Sequence, residues 1–276
     1  MSKTAVIGHP ISHSKSPLIH NYWIAKYGLS GSYGAIDIAP EDLLYELPRL
    51  IKEEGYQGFN VTIPHKENVM ALCDEISPEA RSIGAVNTLY LDESGHLIGT
   101  NTDAYGFIEN IRQTLPSFDF KAGPAMILGA GGAARALLYG LLKEGAPEIY
   151  ITNRTREKAE NLKEQSLFPQ RVQVIDWERR EKALSHVQLL VNSTALGMSG
   201  KEPLEMDLSA LPVSACVCDI VYAPLETRLL KDAKARGNEI VTGIGMLLYQ
   251  ARPGFKHWHG ILPEVTPELE EKVLKS

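Results

Sequence analysis

Cysteine is scarce: three in 276 residues, Cys73, Cys216 and Cys218, with no C-x-x-C pair. That excludes a disulfide framework and the usual zinc spacings. Cys216 and Cys218 stand two apart in the apolar run SACVCDI, so both face one side of a strand, as buried thiols of a reducing compartment. Long apolar runs are missing too. None approaches the ~18 residues of a membrane span, and MSKTAVIGHP reads as a first strand rather than a signal peptide. Basic charge is not in excess: 28 Lys and Arg against 34 Asp and Glu leave a net charge of −6, which argues against a nucleic-acid surface. There is no P-loop and no G-x-S-x-G. The expectation is a soluble cytoplasmic protein that takes small molecules, with no membrane or nucleic-acid partner, as a monomer or homodimer.

What the chain does contain is PAMILGAGGAARALLYGLL, Pro124 to Leu142. An apolar strand runs into Gly129, Ala130, Gly131 and Gly132, and Ala133 onward reads as a helix. A strand, a glycine turn and a helix N-terminus make an anion site. Gly129 allows the tight turn, Gly131 lets backbone approach a pyrophosphate, and small Ala134 lets helix pack on strand. Alone, this announces a dinucleotide and leaves FAD and NAD open. About 20 residues on, where NAD binders carry an acid for the ribose 2′-hydroxyl, the chain reads Asn153, Arg154, Thr155, Arg156, Glu157, Lys158. The two arginines attract a 2′-phosphate where a carboxylate would repel it, which favours NADP. The competing reading is a solvated helix start.

The order of elements is α/β. Lys3 to Gly8 is a strand. SPLIHNYWIAKYG is a helix with Ser16 as N-cap and Pro17 as first helical residue, ending at Gly28. GSYGAIDIA and YQGFNVTI are strands around the helix EDLLYELPRLIKEEG, distorted at Pro48. NVMALCDEI and SPEARSIG read as helical, and AVNTLYL pairs with HLIGTN as a hairpin, with Asn87 in its first strand. This first, mainly parallel unit fills about the first hundred residues. PSFDFKAGP follows the helix AYGFIENIRQTL as the border to the glycine-turn domain. That domain reads βαβαβ through RVQVID, with later strands in VQLLVNST, ACVCDI and EIVTG. Gly243 to Trp258 reads as a helix interrupted near Pro253, and TPELEEKVLK as a capped terminal helix.

Ligands of parallel sheets bind beyond strand C-terminal ends, and Asn60, Thr62 and Lys66 fall near one. Lys66 is the leading proton donor, since a desolvated lysine can lose charge and polarise a carbonyl; Asp103 could orient it. His65 and His13 compete by residue type. Ser14 and Ser16 sit at a helix start, where they either cap it or receive a carboxylate. His257-x-His259 falls in an irregular C-terminal stretch without a third ligand, and no metal site is expected.

Nine motifs in order, GHPISHSKSPLIHN, GFNVTIPHKE, GAVNTL, GTNTDAYG, LGAGGAARA, NRT, NSTALGM, DIVYAPLETRLL and GIGMLLYQA, make the chain resemble the NADP-dependent shikimate dehydrogenases over nearly its whole length. The resemblance implies reversible reduction of 3-dehydroshikimate, with Lys66 and Asp103 as the catalytic pair. It implies that Ser14 and Ser16, helped by Tyr222, hold the substrate carboxylate, and that Thr62, Asn87, Asp103 and Gln250 bind ring hydroxyls. The cofactor would lie on Gly129, Ala130, Gly131, Gly132 and Ala133, on Asn153 to Lys158, and near Ile220 and Gly243. A substrate domain of 1–103 and 243–276 and a Rossmann NADP domain of 104–242 are implied, the last helices returning to the first domain. The near rival is a quinate/shikimate dehydrogenase of relaxed specificity; the distant one is a non-catalytic NADP-binding regulator. Ala195 departs from the proline usual in this family's NSTPLGM loop.

Overall fold

The computed structural model describes residues 2–276. They form two compact units, one running to Thr102 and resuming at Leu248–Ser276, the other Asp103–Leu247.

The first unit contains β1 (Ser2–Gly8), α1 (Ser16–Lys26), β2 (Gly31–Asp37), α2 (Leu43–Lys52), β3 (Tyr56–Val61), β4 (Glu75–Ile76), α3 (Pro78–Ile83), β5 (Thr88–Leu91) and β6 (Leu97–Thr100). The sheet order is β2-β1-β3-β5-β6-β4. β1 pairs in parallel with β2 and β3, and β4 in parallel with β6, while the β5–β6 hairpin pairs antiparallel internally and with β3. Central β1 buries every residue from Thr4 to Gly8, as an interior parallel strand must. One face packs Ala5, Ile7, Phe59, Val61 and Leu89 against Leu43, Leu47 and Leu50 of α2.

Several local readings change. Helix α1 begins at Ser16 with Lys15 before it, because Lys15 already has helical angles (φ −83, ψ −8). Ser16 is therefore not the N-cap; the Ser14 hydroxyl accepts the Ser16 N–H at 3.3 Å instead. Asn87 lies just before β5 rather than in it. NVMALCDEI is a 3-10 turn over Asn68–Leu72 followed by β4. The Asp74 carboxylate accepts the Leu97 N–H at 2.7 Å and draws that chain alongside β6.

The second unit holds α4 (Asp103–Thr114), β7 (Ala125–Leu128), α5 (Gly132–Glu144), β8 (Ile149–Thr152), α6 (Arg156–Glu164), β9 (Val172–Ile175), β10 (Leu189–Asn192), β11 (Cys216–Asp219), α7 (Arg228–Arg236) and β12 (Glu239–Val241). Its sheet, β12-β11-β10-β7-β8-β9, is parallel throughout. Alternate residues feed two cores. Ala125, Ile127, Leu189, Val191, Cys216 and Cys218 face one helical layer, and Met126, Leu128, Leu190 and Val217 the other. This is the doubly wound Rossmann arrangement. PSFDFKAGP lies inside the unit rather than at its border, because α4 packs on α5: a Cβ built on Gly140 would lie 3.1 Å from Ile108.

Helix α8 (Gly243–His259) starts in the second unit and ends in the first, and α9 (Pro267–Lys275) follows, its N-terminus capped by the Thr266 hydroxyl. α8 runs through Pro253 without a break. An interior proline costs about 3 kcal/mol, and the buried Ala251, Gly254 and Phe255 around it offset that by packing. His257 and His259 consequently belong to a helical last turn, not an irregular stretch; His257 stacks on Tyr90 at 4.0 Å.

An aromatic cluster fills the space under α1 in the first unit. His20, fully buried, stacks on Tyr33 at 4.2 Å and meets Trp258 at 5.3 Å and Trp23 at 5.6 Å. Burial, reinforced by nearby His259, lowers its pKa from 6.5 to about 3. The unfolded chain therefore takes up this proton first, so the stability present above pH 6.5 is lost as pH falls toward 3. The expected slope is about 1.4 kcal/mol per pH unit. Denaturant titrations between neutrality and the carboxylate range should show it in wild type, and His20→Phe should flatten it.

Candidate functional site

The glycine turn is built as the strand–turn–helix motif demands. Gly129 has φ +106, a conformation open to glycine, and a Cβ there would lie 2.8 Å from Ser193 Oγ. Gly131 precedes α5 as its N-cap and has no side chain to fill the first-turn N–H groups. A Cβ on Gly131 or Gly132 would meet no protein atom within 4 Å. Nothing inside the protein demands glycine at those two places, whereas a phosphate brought against the backbone does. The residues present therefore fit a dinucleotide.

Gly129, Ala130 and Gly131 line a cavity of about 510 Å³ together with Asn153, Arg154, Trp177, Ser193, Thr194, Ala195, Leu196, Lys201 and Glu202. Three parallel strands, β7, β8 and β10, end on it. The basic segment divides. Arg154 lines the cavity, while Arg156 turns to ion pairs with Glu160 at 2.7 Å and with Asp176. Arg156 thus already has two carboxylates. Asn153 donates to the Thr155 carbonyl at 2.8 Å, Thr155 precedes α6, and Lys158 is exposed on it.

The NSTALGM loop is shaped by a buried polar cluster that sequence reasoning did not find. Asn192 Nδ2 donates to both Asp219 oxygens (3.0 and 3.1 Å) and to the Leu196 carbonyl (3.1 Å). The amide oxygen of Asn192 accepts from the N–H and hydroxyl of Thr194. Asp219 also accepts from the Thr227 hydroxyl at 2.7 Å and the Val221 N–H at 3.0 Å. Burial pushes the Asp219 pKa up, opposed by those donors. These bonds hold the loop around Ala195 in one shape. The signal lay in a polar residue ending each of two adjacent apolar strands.

Ile220 and Gly243 come together: a Cβ at Gly243 would lie 2.3 Å from the Ile220 carbonyl oxygen. Gly245 is pressed against Asn110, whose Nδ2 donates to the Thr242 carbonyl at 2.8 Å. Both glycines serve close packing. Tyr222 follows in the β11 loop, partly buried, its pKa raised by burial.

In the first unit, Thr62 follows β3 with its N–H on the Ile7 carbonyl at 3.0 Å. Its methyl fills the space a Cβ on Gly8 would need, 2.5 Å away. Lys66 is half-buried in the next turn, anchored through its carbonyl, which accepts the Val86 N–H at 2.8 Å. Asn87 Nδ2 donates to Thr102 Oγ1 at 3.0 Å, and Asn87 Oδ1 accepts the Thr102 N–H at 2.9 Å. Ser14, Ser16, Thr62, Lys66, Asn87 and Gln250 all belong to this unit; Asp103 opens α4 and, like Tyr222, belongs to the other. His65 is fully enclosed, its Nε2 against the Ile38 carbonyl at 2.7 Å, which makes it a packing histidine rather than a rival to Lys66. His13 is exposed.

A model of the shikimate dehydrogenase substrate binding domain matches residues 6–89, and a model of shikimate/quinate 5-dehydrogenase matches residues 111–201. A shikimate dehydrogenase (NADP(+)) of Paramagnetospirillum magneticum is 50% identical over 272 residues, 98% of this chain and 96% of that protein. The chain belongs to the shikimate dehydrogenase family. Two solved members resemble it along their length. Shikimate 5-dehydrogenase of Thermus thermophilus, in complex with NADP(H) and shikimate, aligns with TM-score 0.86 at 37% identity, covering 100% of this chain and 99% of that one. Quinate dehydrogenase of Corynebacterium glutamicum, in complex with NAD, aligns with TM-score 0.91 at 30% identity, again covering 100% and 99%. The family, the α/β Rossmann fold, the oxidoreductase class and the NADP cofactor expected from the motifs agree with the Paramagnetospirillum and Thermus relatives. None of the described helices of this family member is long and apolar enough to cross a membrane.

The two kinds of glycine in the turn are separable by experiment. Gly131→Val should leave thermal stability within about 2 °C while weakening NADP binding by roughly 100-fold or more, because only the ligand needs that space. Gly129→Ala should instead lower the melting temperature by several degrees, on the order of the 1–3 kcal/mol that strained backbone costs. Calorimetry and fluorescence titration of both variants check the pair.

Proposed function

We propose that this protein reduces the ring ketone of 3-dehydroshikimate to the hydroxyl of shikimate, reversibly, with NADPH as reductant. The observation that carries the reading is the 50% identity over 98% of the chain to a shikimate dehydrogenase (NADP(+)). The same reading makes it a cytoplasmic enzyme working on free small molecules. Residues 103–247 take the role of cofactor domain, and the unit of 2–102 and 248–276 that of substrate domain.

Bound NADPH supplies the hydride. The residues of this chain do the rest. Lys66 gives its proton to the carbonyl oxygen as negative charge develops there, and takes the hydroxyl proton in the reverse direction. Asp103, a carboxylate at the start of α4, orients the ammonium and favours its charged form. Ser14 and Ser16 stand at the start of α1, where hydroxyls and helix N–H groups suit the substrate carboxylate, and Tyr222 assists. Thr62, Asn87, Asp103 and Gln250 hold the ring hydroxyls and so fix which carbon faces the reductant. Gly129 to Ala133 seat the pyrophosphate, Asn153 to Lys158 the 2′-phosphate end, and Ile220 and Gly243 the nicotinamide end.

A second reading has one observation in its favour, the TM-score of 0.91 with a quinate dehydrogenase. Quinate carries an extra ring hydroxyl, and NAD lacks the 2′-phosphate that this reading assigns to Arg154. Initial rates with purified protein, shikimate or quinate, and NADP or NAD decide between them. Shikimate with NADP should be the fastest pair. Lys66→Ala and Asp103→Asn should lower kcat by about 10²–10⁴-fold while NADP affinity stays within about two-fold of wild type. Near-normal turnover in Lys66→Ala would remove its role as proton donor.

A further inference from the structure

The first unit contains a line of buried hydrogen bonds that begins away from the proposed ligand-holding residues and ends on one of them. Tyr33, in β2 and 3% exposed, donates its phenol hydrogen to Asn60 Oδ1 at 2.6 Å. Asn60 Nδ2 donates to Thr88 Oγ1 at 3.1 Å and to the Asn87 carbonyl at 3.4 Å. Thr88 Oγ1 donates to Asn87 Oδ1 at 3.0 Å, the atom that also accepts the Thr102 N–H. Every donor in the line points the same way. The Asn60 amide is oriented by the Asn87 carbonyl, which can only accept and so takes Nδ2; Oδ1 is left facing Tyr33, whose phenol supplies the hydrogen it needs. With the nitrogen toward Thr88, the Thr88 hydroxyl gives its hydrogen to Asn87 Oδ1, which the Thr102 N–H also holds, so the Tyr33 hydroxyl closes the far end of a chain whose amides are already oriented. Asn60, Asn87, Thr88 and Thr102 are all buried, so a wrong flip would leave unpaired polar atoms with no water to meet them.

Tyr33 is itself held rigidly. His20 stacks on its ring at 4.2 Å with an 8° interplanar angle, and Trp258 packs at 5.8 Å. The Tyr33 hydroxyl is thus linked through Asn60 and Thr88 to Asn87, the residue proposed for a ring hydroxyl.

We propose that Tyr33 is a positioning residue of the substrate site: through Asn60 and Thr88 it steadies the Asn87 amide, and hence how tightly a polyhydroxylated ring acid is held. This deepens the shikimate reading and rests on it for the identity of the ligand. Tyr33→Phe keeps the stacked ring and removes only the hydroxyl. It should raise the KM for shikimate about ten-fold, change kcat by less than about three-fold, and leave the KM for NADP unchanged. Equal increases in both KM values, or kinetics like wild type, would overturn it. A second measurement stands apart from the choice of substrate. In ligand-free protein, the side-chain amide signals of Asn60 and Asn87 should be resolved and slow to exchange, and Tyr33→Phe should speed exchange at both. Unchanged protection in the variant would overturn the proposal even if shikimate is turned over. If wild type fails to turn over shikimate, the function falls, and the amide signals alone decide whether Tyr33 sets the pocket.

Discussion

Parallel register across three strands organises the cofactor end of this protein. Leu128 lies opposite Thr152 on one side and Asn192 on the other, so β7, β8 and β10 stop level with one another. Parallel strands that stop together send their following loops to the same edge. The glycine turn, the Asn153–Arg154 pair and the Ser193–Leu196 segment meet there for that reason and line one cavity. Burial on both faces makes the register costly to change. A slip of one residue would exchange the two sets of core side chains, Ile127 and Val191 against Met126 and Leu190.

The two units solve the same problem, fixing polar groups at strand ends, by similar means. In the second, Asp219 and Asn192 form a buried knot under two loops. In the first, Asn60, Thr88, Asn87 and Thr102 do so at the ends of β3, β5 and β6. Such networks contribute little net stability per bond, about 1 kcal/mol, but leaving one partner unpaired costs the full desolvation penalty. Their value lies in permitting one arrangement. An active site needs its hydrogen-bonding groups placed before the ligand arrives, and a buried network with every donor assigned provides that.

Much of this was legible along the chain, wherever the cause was local. The turn at Gly129, the helix after it, the β5–β6 hairpin and the βαβαβ succession of the second unit follow from residue patterns a few positions long. What was not legible depended on partners far off in sequence. Arg154 and Arg156 look alike as letters, and the pairing of Arg156 with Glu160 and with Asp176, twenty residues on, separates them. Ser16 has the chemistry of a cap, yet Lys15 turns helical first. Pro253 predicts a break that the burial of Phe255 and Ala251 overrides. Trp177, Lys201 and Glu202 reach the cavity from loops with no motif of their own. Tyr33 had no signal at all, since a tyrosine in a strand is ordinary until its hydroxyl is seen on Asn60.

The central claim is that the edge where β7, β8 and β10 end holds a 2′-phosphorylated dinucleotide, with Arg154 as the group that reads the phosphate. Dissociation constants for NADP and NAD, measured on wild type, Arg154→Ala and Arg156→Ala, test it most directly. Charge-assisted bonds of about 1.5–3 kcal/mol correspond to roughly a 10–100-fold effect. Arg154→Ala should weaken NADP by that factor and leave NAD alone, while Arg156→Ala, already paired with Glu160 and Asp176, should change the ratio by less than about three-fold. An unchanged preference for NADP in Arg154→Ala would contradict the claim.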